Sequence, residues 1–122
     1  MTTTNDFVPS KDNTKFNGTI NNIRVDIIDD RLTDEIVQYA EKMTNLFLEK
    51  KDEVFHYLYN DLSSFYSQYS FEQMVKKLND PTIEISSNRG YIVWSNHDLD
   101  HEHIITLEFN GDLVLSSVSL DG

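Results

Sequence analysis

The apolar period of this chain changes twice, and that limits the folds open to it. Ile23, Val25 and Ile27 alternate with Arg24 and Asp26, the period-two spacing of a strand with one buried face. After Asp29-Asp30-Arg31-Leu32 the period lengthens. Ile36, Ala40, Met43 and Phe47 recur at helical spacing, and a second series runs Val54, Leu58, Leu62, Phe65 and Tyr69. From Thr82 onward short strand-like runs return. Strands, then helices, then strands predict an α+β domain.

The connections sharpen this. Phe16–Ile20 and Ile23–Ile28 flank Asn21-Asn22, a dipeptide that tolerates positive φ and suits a tight turn, so an N-terminal β-hairpin is expected. Thr33 is placed to cap the first helix, with Asp34 and Glu35 at the positive end of its dipole. The charged run Glu49-Lys50-Lys51-Asp52-Glu53 is either an exposed turn of one long helix or a break between two. Ser70-Phe71-Glu72-Gln73 matches a capping box, which opens a further short helix that ends before Asp80-Pro81. The segments Thr82–Ser86, Tyr91–Ser95, His103–Phe109 and Leu113–Leu120 then predict a C-terminal four-stranded antiparallel meander packed on two or three helices. Its last turn, Asn110-Gly111-Asp112, carries the strongest short hairpin signal. Trp94, between Val93 and the loop that follows, reads as core. Residues 1–13, poor in apolar side chains, read as a flexible leader, and residues 14–122 as one α+β domain.

Charge narrows the function. The chain of 122 residues carries 21 Asp and Glu against 10 Lys and Arg, a formal charge of −11. A phosphate backbone needs a concentrated basic patch, so nucleic acid is disfavoured as a partner, and anionic membranes for the same reason. A basic protein is the partner that such a surface would steer. No apolar run approaches the roughly 20 residues of a membrane span. The first residues lack the basic and apolar regions of a secretory signal, and there is no cysteine. A cytoplasmic location is expected.

Three groups of residues could carry the function. The stretch from Asn96 to His103 holds His97, His101 and His103 with Asp98, Asp100 and Glu102, ligand types suited to zinc or a related metal. On an extended segment His101 and His103 would share one face, but no zinc-hydrolase spacing such as H-E-x-x-H is present. The same residues would also suit a polar loop leading into a strand. The serines lie in no nucleophile elbow, and the four glycines form no phosphate-binding loop. Asp29, Asp30, Asp34 and Glu35 form a second acidic group. The third is the aromatic run from Phe55 to Tyr69, which holds more rings than one helix face can bury. Tyr57, Tyr59 and Tyr66 are therefore expected at the surface near Asp61, a mixture that serves well as an anchor for a basic protein.

From the third helix onward the order of features resembles a bacterial family that is one of the numbered domains of unknown function. The resemblance is carried by Phe71…Val75…Leu78 leading to Ile83-Glu84-Ile85, then Tyr91-Ile92-Val93-Trp94. Next comes Asp98-Leu99-Asp100-His101-Glu102-His103-Ile104-Ile105 in the place of a D-L-F-x-G-H-x-I-like motif, and Asn110-Gly111-Asp112 closes the match. Asp100 stands where that family has an aromatic residue, and Glu102 where it has glycine. The family implies no activity and gives His103 no role; from the residues alone His103 reads as a strand-entry histidine bonded to a neighbouring backbone or carboxylate group. In size, charge and class the chain is also similar to the immunity proteins that bacteria make beside polymorphic or contact-dependent toxins, without a shared motif. Many such toxins are cationic. The expectation is a non-enzymatic, cofactor-free binding protein using Asp29, Asp30, Asp34 and Glu35, or Asp98, Asp100 and Glu102, with tyrosine anchors. The alternative is a metal-binding protein or metal-dependent enzyme built on His97, His101 and His103. Self-association through an edge of the C-terminal sheet is a third use of the fold.

Overall fold

The computed structural model describes residues 2–122. Seven strands form one mixed sheet whose spatial order follows the chain: β1 (Phe7–Pro9), β2 (Phe16–Ile20), β3 (Ile23–Ile27), β4 (Thr82–Ser86), β5 (Arg89–Trp94), β6 (Ile104–Asn110) and β7 (Val114–Asp121). All neighbours are antiparallel except β3 and β4, which run parallel with Val25 opposite Ile83 and Ile27 opposite Ile85. Between those two strands lie α1 (Asp34–Glu49), α2 (Lys51–Leu62) and α3 (Phe71–Lys77). The α+β class is as read from the sequence. The sheet is larger than a separate hairpin and a four-stranded meander, because the parallel pairing fuses the two.

Local chemistry explains the element ends. Asn21 and Asn22 sit at φ 50° and 67°, the left-handed region their side chains tolerate. Thr33 accepts a hydrogen bond from the Ile36 N–H at the start of α1. Ser70 and Gln73 close a reciprocal capping box on α3. Lys50, at φ −109° and ψ 25°, breaks the helical run, so the charged stretch separates two helices. Phe65 and Tyr69 consequently fall beyond α2, in the turns that lead to α3.

The core lies between the helices and one sheet face. Val25, Ile27, Ile83, Ile85, Ile92, Trp94, Ile105, Leu107 and Phe109 line the sheet side, and Val37, Ala40, Met43, Phe47, Val54, Leu58 and Met74 close it from the helices. The other sheet face is open and polar. One register row across it reads Asn17, Asp26, Glu84, Tyr91, Glu108 and Ser117.

Part of the expected leader is structured. Phe7 is buried and its strand pairs with β2, placing it opposite Gly18. A Cβ at Gly18 would stand 2.5 Å from the Phe7 ring, so the missing side chain is what admits that ring to the sheet.

Candidate functional site

The connection between β5 and β6, residues 95–103, is folded around its own polar groups. His97 is 3% exposed. Its Nδ1 accepts from the Leu99 N–H at 3.1 Å, which leaves the proton on Nε2, and Nε2 donates to the His103 carbonyl at 2.7 Å. Both ring nitrogens are thus committed to the loop backbone. Leu99 is buried and pins the middle of the loop to the core. Asp98 N–H donates to the Lys77 carbonyl at 2.7 Å, and Asn79 Nδ2 to the Asn96 carbonyl at 2.6 Å, tying the loop to the end of α3.

Asp100 is the centre of this arrangement. Its Oδ2 accepts from the Tyr66 hydroxyl at 2.6 Å and faces His103 Nδ1 at 2.9 Å. Its Oδ1 accepts from the backbone N–H groups of Glu102 and His103, both at 3.0 Å. Burial pushes the Asp100 carboxyl upward, but these four hydrogen bonds outweigh it and hold the group well below the usual carboxylate range. Burial first, and then the bonded Asp100 carboxylate, push the Tyr66 hydroxyl well above its ordinary value. Tyr66 is 2% exposed, so it is no surface anchor: its ring fills the core and its hydroxyl holds the loop. Tyr57 and Tyr59 are half-buried against the core, and Asp61 is exposed. The ring that does reach solvent here is Phe65, 54% exposed, set edge-on to Tyr66 and His103 with centroids 4.8 and 5.2 Å away.

What the loop offers outward is a shallow cavity of about 360 Å³ with Asp98, His101 and Glu102 exposed around it. The His103–Asp100 pair has the form of a base and its orienting carboxylate. Among the described residues no hydroxyl is hydrogen-bonded to its other ring nitrogen. Among the described residues no three His, Cys, Asp or Glu side chains are grouped to hold a metal ion.

The second acidic group is built differently. Asp29, Asp30, Asp34 and Glu35 are all exposed, on the turn after β3 and the first turn of α1. Asp29 and Glu35 edge a cavity of about 280 Å³ with Thr33, Ile36, Tyr39, Ser87 and Asn88. The Tyr39 hydroxyl donates to the Gly111 carbonyl at 2.9 Å, and burial followed by the Asp112 charge raises its pKa. This group lies where β3 and β4 end and β5 begins, whereas residues 95–103 lie where β5 ends and β6 begins. Strands of this length separate the two acidic groups by roughly 20 Å. They are two surfaces, and one small partner site does not contain both.

The sequence reading missed Asp26. It points to the open face yet is 2% exposed, with Lys15 Nζ 3.3 Å from Oδ2 and Arg24 Nε 3.6 Å from Oδ1. Its cross-strand neighbour Glu84 has its pKa raised by burial and by the Asp26 charge, with Lys15 opposing. The signal was a single carboxylate at an outward position, Asp26 between Val25 and Ile27 and Glu84 between Ile83 and Ile85, but only the register places the two side by side.

No protein-family model, curated protein or solved structure matches this chain. Among the described residues no helix is long and apolar enough to cross a membrane.

Proposed function

We propose that this chain is a non-enzymatic binding protein for a basic protein partner, of the kind in which an acidic immunity protein covers a cationic toxin domain. The observation that carries the reading is the distribution of charge. After Arg89 the chain contains no lysine or arginine, while Asp98, Asp100, Glu102, Glu108, Asp112 and Asp121 all fall in that stretch. Among the described residues only Asp26 and Asp112 pair with a lysine or arginine, and Asp100 faces His103, which leaves most carboxylates free to act on a distant cation. Such a field raises the encounter rate with a cationic surface and falls off with salt.

Within this reading the residues divide. Asp98 and Glu102, or Asp29, Asp30, Asp34 and Glu35, are free to steer and contact a partner. Asp100 is not, because its oxygens already accept four hydrogen bonds. Phe65 replaces Tyr66 as the aromatic group able to bury itself against a partner. The test is co-expression with the product of the reading frame adjacent to its own gene. A complex whose association slows as salt rises, and rescue of growth from that product, are expected. An adjacent product that the chain neither binds nor neutralises would remove the toxin reading. Binding that is indifferent to salt and to Asp98→Asn with Glu102→Gln, and equally to loss of the four carboxylates at 29–35, would remove electrostatic steering.

A further inference from the structure

The two edges of the sheet are unlike. β1 is three residues long and ends in Pro9, features that discourage another strand from pairing there. β7 is eight residues long and contains no proline, lysine or arginine. Beyond its ladder to β6, no hydrogen bond between described residues reaches the backbone of Val114–Asp121. The one register shift lies opposite Glu108 and Phe109, and from Ser117 to Asp121 the pairing is regular. From Ser117 to Asp121 this leaves a row of outward N–H and C=O groups, and the guards of this edge are the extra residue at Ser116, the charge of Asp121 and the packing of α2 against the strand.

The side chains say what would fit. On the core side Val118 and Leu120 are half-buried and continue the rows of Leu107 and Ile105, so an added strand would extend the core with apolar residues. On the open side Ser117 and Ser119 are small and exposed, next to Glu108 in β6, and the Ser117 hydroxyl lies 3.3 Å from Glu108 Oε1. Asp121 closes the strand. The charged residues of β6 and β7 are carboxylates alone. An incoming strand two positions from Glu108 lies about 10 Å away, a gap that a lysine or arginine stem and the glutamate span together.

We infer that β7 is a strand-addition edge for an extended segment of a cationic protein, one that alternates apolar residues with lysine or arginine. The inference rests on the reading of the chain as an acidic binder and names the surface and the form of the partner segment. A second copy of this chain fits poorly, since each copy has a formal charge of −11 and brings no lysine or arginine in β6 or β7 to meet the carboxylates.

The test uses a capped synthetic octapeptide alternating lysine and valine, its glutamate–valine counterpart, and a lysine–valine version interrupted by proline, with amide exchange followed residue by residue on the full chain. The lysine–valine peptide should slow exchange at Val114–Asp121, the two controls should not, and Ser119→Lys, at an exposed position, should weaken binding several-fold without lowering Tm. If the peptide binds and alters only residues 29–35 or 95–102, the edge inference fails and the acidic-binder reading stands. If the peptide does not bind anywhere, the edge inference falls, and the acidic-binder reading is decided by the co-expression test. Concentration-dependent protection of β7 without peptide would assign the edge to a second copy and overturn the cationic occupant.

Discussion

The two acidic loops have similar composition and opposite uses of it. Residues 95–103 turn their central carboxylate inward: Asp100 binds Tyr66, His103 and two backbone N–H groups, while His97 stitches Leu99 to His103. Residues 29–35 leave every carboxylate in water, with one local bond from the Arg31 N–H to Asp29. One loop is held rigid by its polar groups and displays what is left over, Asp98, His101 and Glu102. The other is a capped helix start displaying all of its charge. An aspartate's role here follows from the donors that the fold brings to it, and the residue type alone does not reveal those donors.

That contrast can be broken in several ways. The largest effect is expected at His97. Replacing it with alanine orphans the buried Leu99 N–H and the His103 carbonyl, at a cost of about 3 kcal/mol read from denaturant midpoints. Equal losses from Asp29→Asn with Asp30→Asn, where at most about 0.5 kcal/mol is expected, would erase the distinction between the loops.

Next is Tyr66→Phe, which removes a charge-assisted hydrogen bond at a cost of about 1–2 kcal/mol and should raise the Asp100 pKa, seen by carboxyl NMR titration. The pH dependence has a definite sign. Asp100 titrates below its ordinary value of 3.8, so its contribution is complete above that pH and is lost as pH falls through the lower folded value. Wild type should therefore exceed Asp100→Asn at neutral pH and converge with it in acid. A gap that widens on acidification would contradict the assignment.

The smallest effect, of opposite sign, is at Glu84 on the open face. Its folded pKa is raised, so the stability it gives is present below its ordinary value of 4.5 and lost as pH rises through the folded value. Glu84→Gln should match wild type in acid and exceed it slightly at pH 7. A loss at neutral pH would mean the ionised form is the one the fold prefers.

How much of this the sequence disclosed depends on range. The alternation at Ile23, Val25 and Ile27, the Asn-Gly turn and the Ser70 capping box are local signals, and each element formed where its signal lay. β1 was missed because Phe7-Val8-Pro9 is too short to show a period and contains a proline. The union of hairpin and meander was missed because Val25 and Ile83 meet only after the helices fold back, which no local window contains. Tyr66 illustrates the limit at the site. A crowd of aromatic residues predicts that some are exposed, but only three-dimensional packing selects Phe65 for solvent and Tyr66 for Asp100.

The parallel junction of β3 and β4 also bears on how the molecule assembles. The whole helical middle is strung between two adjacent strands, so closing that pairing joins residues far apart in sequence and carries the entropy of a long loop. During synthesis the N-terminal hairpin must wait, its β3 flank bare, until Ile83 and Ile85 have left the ribosome. The last step of folding is then expected to be the zipping of an early hairpin onto a late meander, and substitutions at Val25 or Ile85 should slow refolding more than those at the Asn21-Asn22 turn.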